Sequence, residues 1–243
     1  MRAFTLVALI ALVALALGLP VRGATQETKG SRPSAPGEAP ARASTVAVPV
    51  YKPPLRGAPG GRVGGGTRGT PRDLFVLSAL APDHSGLTVR EQPSLYWFIS
   101  SPTAFLVEVT LTDPQATRPL LEMRLPSPVA AGVHRIRLAD HGVQLAQGVQ
   151  YRWFVAVVPD PARRSRDILA GGTIERIEPP EAMKTRAVQA RRDELPFIYA
   201  EAGLWYDALT AVSELIESAP DNRELQRQRA ALLIQVGLPS VDE

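Results

Sequence analysis

The chain has 243 residues, 45% of them hydrophobic, and a formal net charge of +3. It contains no cysteine, which excludes disulfides, thiolate metal sites, cysteine nucleophiles and a lipoprotein anchor on a cleavage-site Cys. The charge averages two regions of opposite sign: residues 1–72 carry ten Lys/Arg against two Asp/Glu, and residues 73–243 carry seventeen against twenty-two. A basic arm on an acidic body points to an anionic surface, on another molecule or on that body, unless the arginines only keep the arm soluble.

Residues 1–23 read as a secretory signal: Arg2 supplies the positive start, 4–17 an uncharged apolar core, and Val21 and Gly23 the small residues before a cut ahead of Ala24. Export to the periplasm or the extracellular space follows. The alternative is an uncleaved N-terminal anchor, because 4–21 reaches the roughly 18 apolar residues at which spanning becomes credible. No other stretch is apolar enough to span, so no membrane span is expected once the signal is cut. Residues 24–50 are rich in Ser, Pro, Ala, Gly and Thr and read as a disordered linker, with too little apolar surface to offset chain entropy.

Residues 51–72 form a Gly/Arg-rich lead-in. Seven of the nineteen glycines fall within 51–69, with Arg56, Arg62 and Arg68 spaced six apart. Such a run is no helix or ordinary strand, so it is a tether or a backbone shaped for close approach. The second reading predicts that 60–69 passes tightly over the body with its arginines against the body's acid.

Residues 73–178 alternate with period two between turn signals. Strands are expected over 73–81, 87–89, 95–100, 104–112, 120–125, 133–138, 150–158 and 172–177, with Arg135 and Arg137 outward in the sixth. The spacing of about ten residues suits an antiparallel β-sandwich of the immunoglobulin or fibronectin kind. Over 179–243 the period changes. Leu204, Ala208, Val212 and Leu215, then Leu225, Leu232, Leu233 and Val236, mark two helices, with Asp221 and Glu224 spaced as a capping box and Gly237 and Pro239 as a stop. The fold class is therefore α+β: a disordered leader, a sandwich and a C-terminal helical hairpin.

Catalytic and cofactor motifs are weak. Gly64, Gly66 and Gly69 satisfy a dinucleotide pattern but lack the strand before and the helix after that bring amides to a pyrophosphate, and no Walker lysine follows. His84, His134 and His141 have no metal-ligand spacing and suit surface turns. There is no Gly-x-Ser-x-Gly elbow or His-Glu-x-x-His, and nothing selects a carboxylate pair for glycoside chemistry. No cofactor is expected. Trp97, Trp153, Trp205, Tyr96, Tyr151 and Tyr206 suit a core, with a sugar platform as the alternative. Nucleic acid is not expected as a partner, because no aromatic residues interleave with the arginines.

Three segments together resemble one family: Pro-Pro-x-Arg-Gly-x-Pro-x-x-Arg-x-Gly-Gly-Gly-Thr-Arg-Gly at 53–69, Leu-x-Ala-Leu-x-Pro at 77–82 with Gly-Leu-Thr at 86–88, and Ala-Gly-Leu-Trp-Tyr-Asp-Ala-Leu at 202–209. They look like the domain of unknown function 928, found largely in exported cyanobacterial proteins. The resemblance implies export and this architecture, and no activity. Members often carry a Cys after the glycine run, where this chain has Thr70 and Pro71, so a thiol role does not carry over. Residues 202–222 also resemble the second half of a tetratricopeptide repeat. About one and a half repeats fit, fewer than a free solenoid needs, so the helices are expected to pack on the sandwich.

The leading functional expectation is a non-catalytic envelope or secreted protein that binds a protein partner, with Trp205, Tyr206 and Asp207 as candidate contacts. The alternative is a binder of anionic cell-surface glycan or lipid through Arg56, Arg62 and Arg68. A hydrolase of envelope polymers ranks third.

Overall fold

The computed structural model describes residues 47–54, 61–64, 75–239 and 241. The expected signal, the linker up to residue 46, Arg56, Arg68 and glycines 65, 66 and 69 lie outside the described residues. Among the described residues the architecture is mixed α/β, with two sheets and no barrel. The strands are β1 (Val63–Gly64), β2 (Leu77–Ala79), β3 (Gly86–Thr88), β4 (Ser94–Ile99), β5 (Leu106–Thr112), β6 (Leu121–Leu125), β7 (Gly132–Arg137), β8 (Gln150–Val158) and β9 (Ile168–Arg176). The helices are α1 (Glu181–Gln189), α2 (Leu195–Glu201), α3 (Trp205–Ser218) and α4 (Arg223–Gln235). One sheet runs β1-β9-β8-β5-β6 and the other β2-β4-β7.

All eight expected strands form, because period-two alternation puts one face of each into a common core. Val107, Val109 and Leu111 of β5, Trp153 and Val155 of β8, and Leu95, Trp97 and Ile99 of β4 are all 0% exposed. Two corrections concern the sheets. First, β3 pairs in parallel with β9, Gly86 opposite Ile174, whereas an all-antiparallel arrangement is expected from the sequence. Second, β1 is an added strand, antiparallel to the same edge of β9 with Gly64 opposite Ala170. Two short strands thus share one edge, a pairing that alternation cannot reveal.

Among the described residues the C-terminal region holds four helices, two more than the sequence pattern marks. Helix α1 buries only Met183 and so lacks an apolar stripe, and α2 is two turns long with Pro196 at its start. The cap of α4 is Asn222 instead of Asp221: its Oδ1 accepts from the amides of Glu224 (3.0 Å) and Leu225 (3.4 Å). Gly237 ends α4 as expected. At φ +68° it lets its own N–H reach the Ile234 carbonyl and that of Leu238 the Leu233 carbonyl, a Schellman closure.

The arm joins the body earlier than the linker boundary implies, since Pro49 is already buried. The Gln235 side chain accepts from the Tyr51 amide (2.8 Å) and donates to the Pro49 carbonyl (2.9 Å). The Lys52 amide donates to the Ala200 carbonyl at 3.0 Å. The Tyr51 ring stands edge-on to Trp205 and stacks on His84, whose Nε2 lies 2.9 Å from the Tyr51 hydroxyl. Asp83 Oδ1 sits 3.0 Å from Nδ1 and, as a carboxylate, accepts from it. His84, half-buried, thus links Tyr51 to Asp83 rather than standing as a free turn residue. Further along, Gly64 at φ +78° crosses β9 so closely that a Cβ there would overlap the Leu169 carbonyl. Close passage therefore holds for the described part of the lead-in.

Tyr51 generates a stability prediction. Replacing Tyr51 by Phe removes one hydrogen bond and is expected to cost about 1 kcal/mol. Tyr51→Ala also opens a cavity beside Trp205 and is expected to cost roughly 3 kcal/mol. Urea unfolding midpoints of the three proteins check both values.

Candidate functional site

The start of α3 places three consecutive side chains in three directions, all 0% exposed. Trp205 Nε1 donates to the Leu80 carbonyl at 2.9 Å. The Tyr206 hydroxyl accepts from Trp153 Nε1 (2.9 Å) and donates to the Thr173 carbonyl (3.0 Å). Asp207 Oδ2 accepts from the Val89 amide at 3.0 Å, and Oδ1 pairs with Arg90 Nε at 3.2 Å. The residues expected as candidate contacts are therefore brought together, but facing inward. Burial raises the Tyr206 phenol well above its ordinary range. Burial also pushes the Asp207 carboxyl up to about 6, against the opposing pull of Arg90, the Val89 amide and Thr88.

Arg62 is the described member of the arginine series. Its Nη1 donates to the Val236 carbonyl (3.0 Å) and the Ala81 carbonyl (3.3 Å), and Nη2 to the Gly237 carbonyl (3.3 Å). It thus meets the carbonyls at the end of α4, with Asp83 adding a small electrostatic contact, in place of the carboxylates expected. The last carbonyls of a helix lack partners and carry its negative dipole end, which suits a guanidinium.

The exposed cationic site lies elsewhere, in a cleft of about 420 Å³ between the sheet of β4 and β7, the C-terminal half of α3 and the turn before α2. Arg90, Arg135, Arg137 and Arg192 line it, with Glu214 and Glu217 opposite. Alternation sets Arg135 and Arg137 on one face of β7, paired with Tyr96 and Ser94 of β4. Helix α3 covers that face with a polar stripe, Asp207, Thr210, Glu214 and Glu217, at three- and four-residue spacing.

The four arginines are unequally satisfied. Arg135, 13% exposed, bonds Ser94 Oγ (2.9 Å), Glu214 (2.6 Å) and Glu217 (3.2 Å), and lies 5.6 Å over the Tyr96 ring. Arg137, 49% exposed, reaches Glu217 only at 3.5 Å. Arg90 spends Nε on Asp207, and among the described residues Arg192 has no ion pair. Such a site can hold Arg135 fixed while offering the other guanidiniums to a carboxylate or phosphate. Sequence reasoning finds Arg135 and Arg137 as outward residues but has no signal for Arg90 and Arg192, which come from turns. Among the described residues no group of three or more His, Asp or Glu could hold a metal ion.

Asp207 carries a pH prediction. With its folded pKa raised, the folded state holds a proton that the unfolded chain releases, so its contribution falls as pH rises from about 4 to about 6, by up to roughly 3 kcal/mol. Asp83, Glu108 and Glu201 have lowered values, from His84, Arg164 and Arg186 in turn, and act oppositely, losing stability as pH falls through their folded pKa. The difference between wild type and Asp207→Asn isolates the first effect: the variant is expected to lack the fall between pH 4 and pH 6 in urea midpoints.

No curated protein matches the chain. Residues 63–243 match the family model described as Domain of Unknown Function (DUF928), which spans the strands, the helices and all four cleft arginines. The chain belongs to that family.

Proposed function

We propose that this protein is a non-catalytic binding module of an exported bacterial envelope protein, and that its arginine cleft receives an acidic segment of a protein partner. In this reading the two sheets form an immunoglobulin- or fibronectin-like sandwich. The helices, related to a tetratricopeptide repeat, complete the binding face. The observation that carries it is the convergence of Arg90, Arg135, Arg137 and Arg192 on one cleft, with Arg137 and Arg192 incompletely neutralised. Complementary charge steers encounter and fixes orientation, and a guanidinium held by neighbours binds a carboxylate with little entropy loss. The arginine series of the arm supports an anionic-polymer reading less directly, because Arg62 is engaged by carbonyls.

Titration calorimetry with an octaglutamate peptide tests the cleft. Binding is expected at low salt, weakening as salt rises, and at least tenfold weaker in the Arg137→Ala/Arg192→Ala double variant. Equal binding by the variant, or none by the wild type, sinks the reading. Export is tested separately: the mature protein is expected to begin at Ala24, and an intact N-terminus on the exported protein would instead favour the anchor. Among the described residues no helix is long and apolar enough to cross a membrane.

A further inference from the structure

Among the described residues, strand β7 is the outermost strand of its sheet, bonded to β4 on one side only. Of its six residues one is buried, in contrast to β4, where five of six are. A Cβ placed on Gly132, at its start, would meet no atom within 4 Å. The same strand carries Arg135 and Arg137 into the cationic cleft. An unpaired edge of backbone donors and acceptors therefore runs beside incompletely neutralised guanidiniums.

Open edges are commonly blunted by charge, which keeps neighbouring chains from pairing. Here the charges have one sign along one face, which repels a second copy of β7 but attracts a strand with acidic residues at alternate positions. The far edge of the other sheet, β6, is also outermost among the described residues, but it carries Glu122 and Arg124 as neighbours of opposite sign. Charge complementarity thus selects β7.

We propose that the acidic partner segment binds as an added β-strand along β7, its alternate carboxylates facing Arg137 and the cleft. This rests on the cleft reading above and specifies the partner's conformation. Main-chain bonds to the edge would supply affinity, and the alternating side chains specificity. Because strand side chains and strand amides both repeat every two residues, the mode demands acidic residues at every second position and free amides in one phase only.

The test uses the full chain and a seven-residue peptide alternating valine and glutamate, with two derivatives, one N-methylated on the glutamate amides and one on the valine amides. Strand addition predicts that one derivative loses at least tenfold in affinity while the other binds within about threefold of the parent. It also predicts slowed hydrogen exchange at β7 amides and unchanged exchange at β6. If both derivatives bind like the parent, or both lose binding equally, strand addition is overturned. In that case parent binding that still depends on Arg137 and Arg192 leaves the cleft reading standing. If octaglutamate binds and the alternating peptide does not, strand addition alone fails; if neither binds, both readings fall together.

Discussion

Tyr206 brings a phenol hydroxyl to the centre of the body, where Trp153 and the Thr173 carbonyl satisfy it from two strands of one sheet. A buried polar group left unpaired costs about 1–3 kcal/mol, so this pair of bonds decides where α3 can sit. Gly86 leaves space for the ring, since a Cβ there would lie 2.6 Å from Tyr206, and Gly172 lets β9 pass Ala81, which a Cβ there would strike. With Trp205 bonded to Leu80 and Asp207 to Val89, sliding the helix by one turn would strand three buried polar groups at once. The register of α3 on the sheets is thereby set, and with it the position of Glu214 and Glu217 two turns on.

Helix α3 consequently faces two environments. Trp205, Leu209 and Val212 enter the apolar core, while Asp207, Thr210, Glu214 and Glu217 meet arginines and Tyr96 across a polar seam. Charges in such a seam lose hydration, so each must find partners. Arg135 does, with three acceptors and an aromatic face, and acts as a fixed support. Arg137 and Arg192, toward solvent, are under no such constraint, and the cleft retains unused cationic capacity. Support and recognition are thus divided between neighbouring residues of the same type.

The arm reaches the same helical layer from the other side. Gln235 holds Pro49 and Tyr51, and Arg62 holds the two carbonyls that follow it in the chain, so the end of α4 is gripped twice. The family match begins at residue 63, yet Pro49, Tyr51 and Arg62 are packed on the body before that point. The folded unit therefore extends upstream of the region by which it is recognised.

Local chemistry was legible where a pattern repeats within a few residues. Alternation located eight strands, the three-and-four spacing located α3 and α4, and Gly237 located the helix stop. The aromatic residues of β4 and β8 were readable as core for the same reason. What depends on partners distant in sequence was not readable. Trp205-Tyr206-Asp207 has the look of a recognition motif, but its acceptors lie at Leu80, Thr173 and Val89, and only their approach turned it inward. Arg62 was visible as a cation seeking negative charge, yet whether it met a carboxylate or a helix end depended on where α4 finished. Arg90 and Arg192 sit in turns with no period, and they join Arg135 and Arg137 only because α3 is held in register over β4 and β7. Alternation reports which face of an element is apolar. Which element covers that face is a property of the packed chain, and here it decided both the core plug and the cationic cleft.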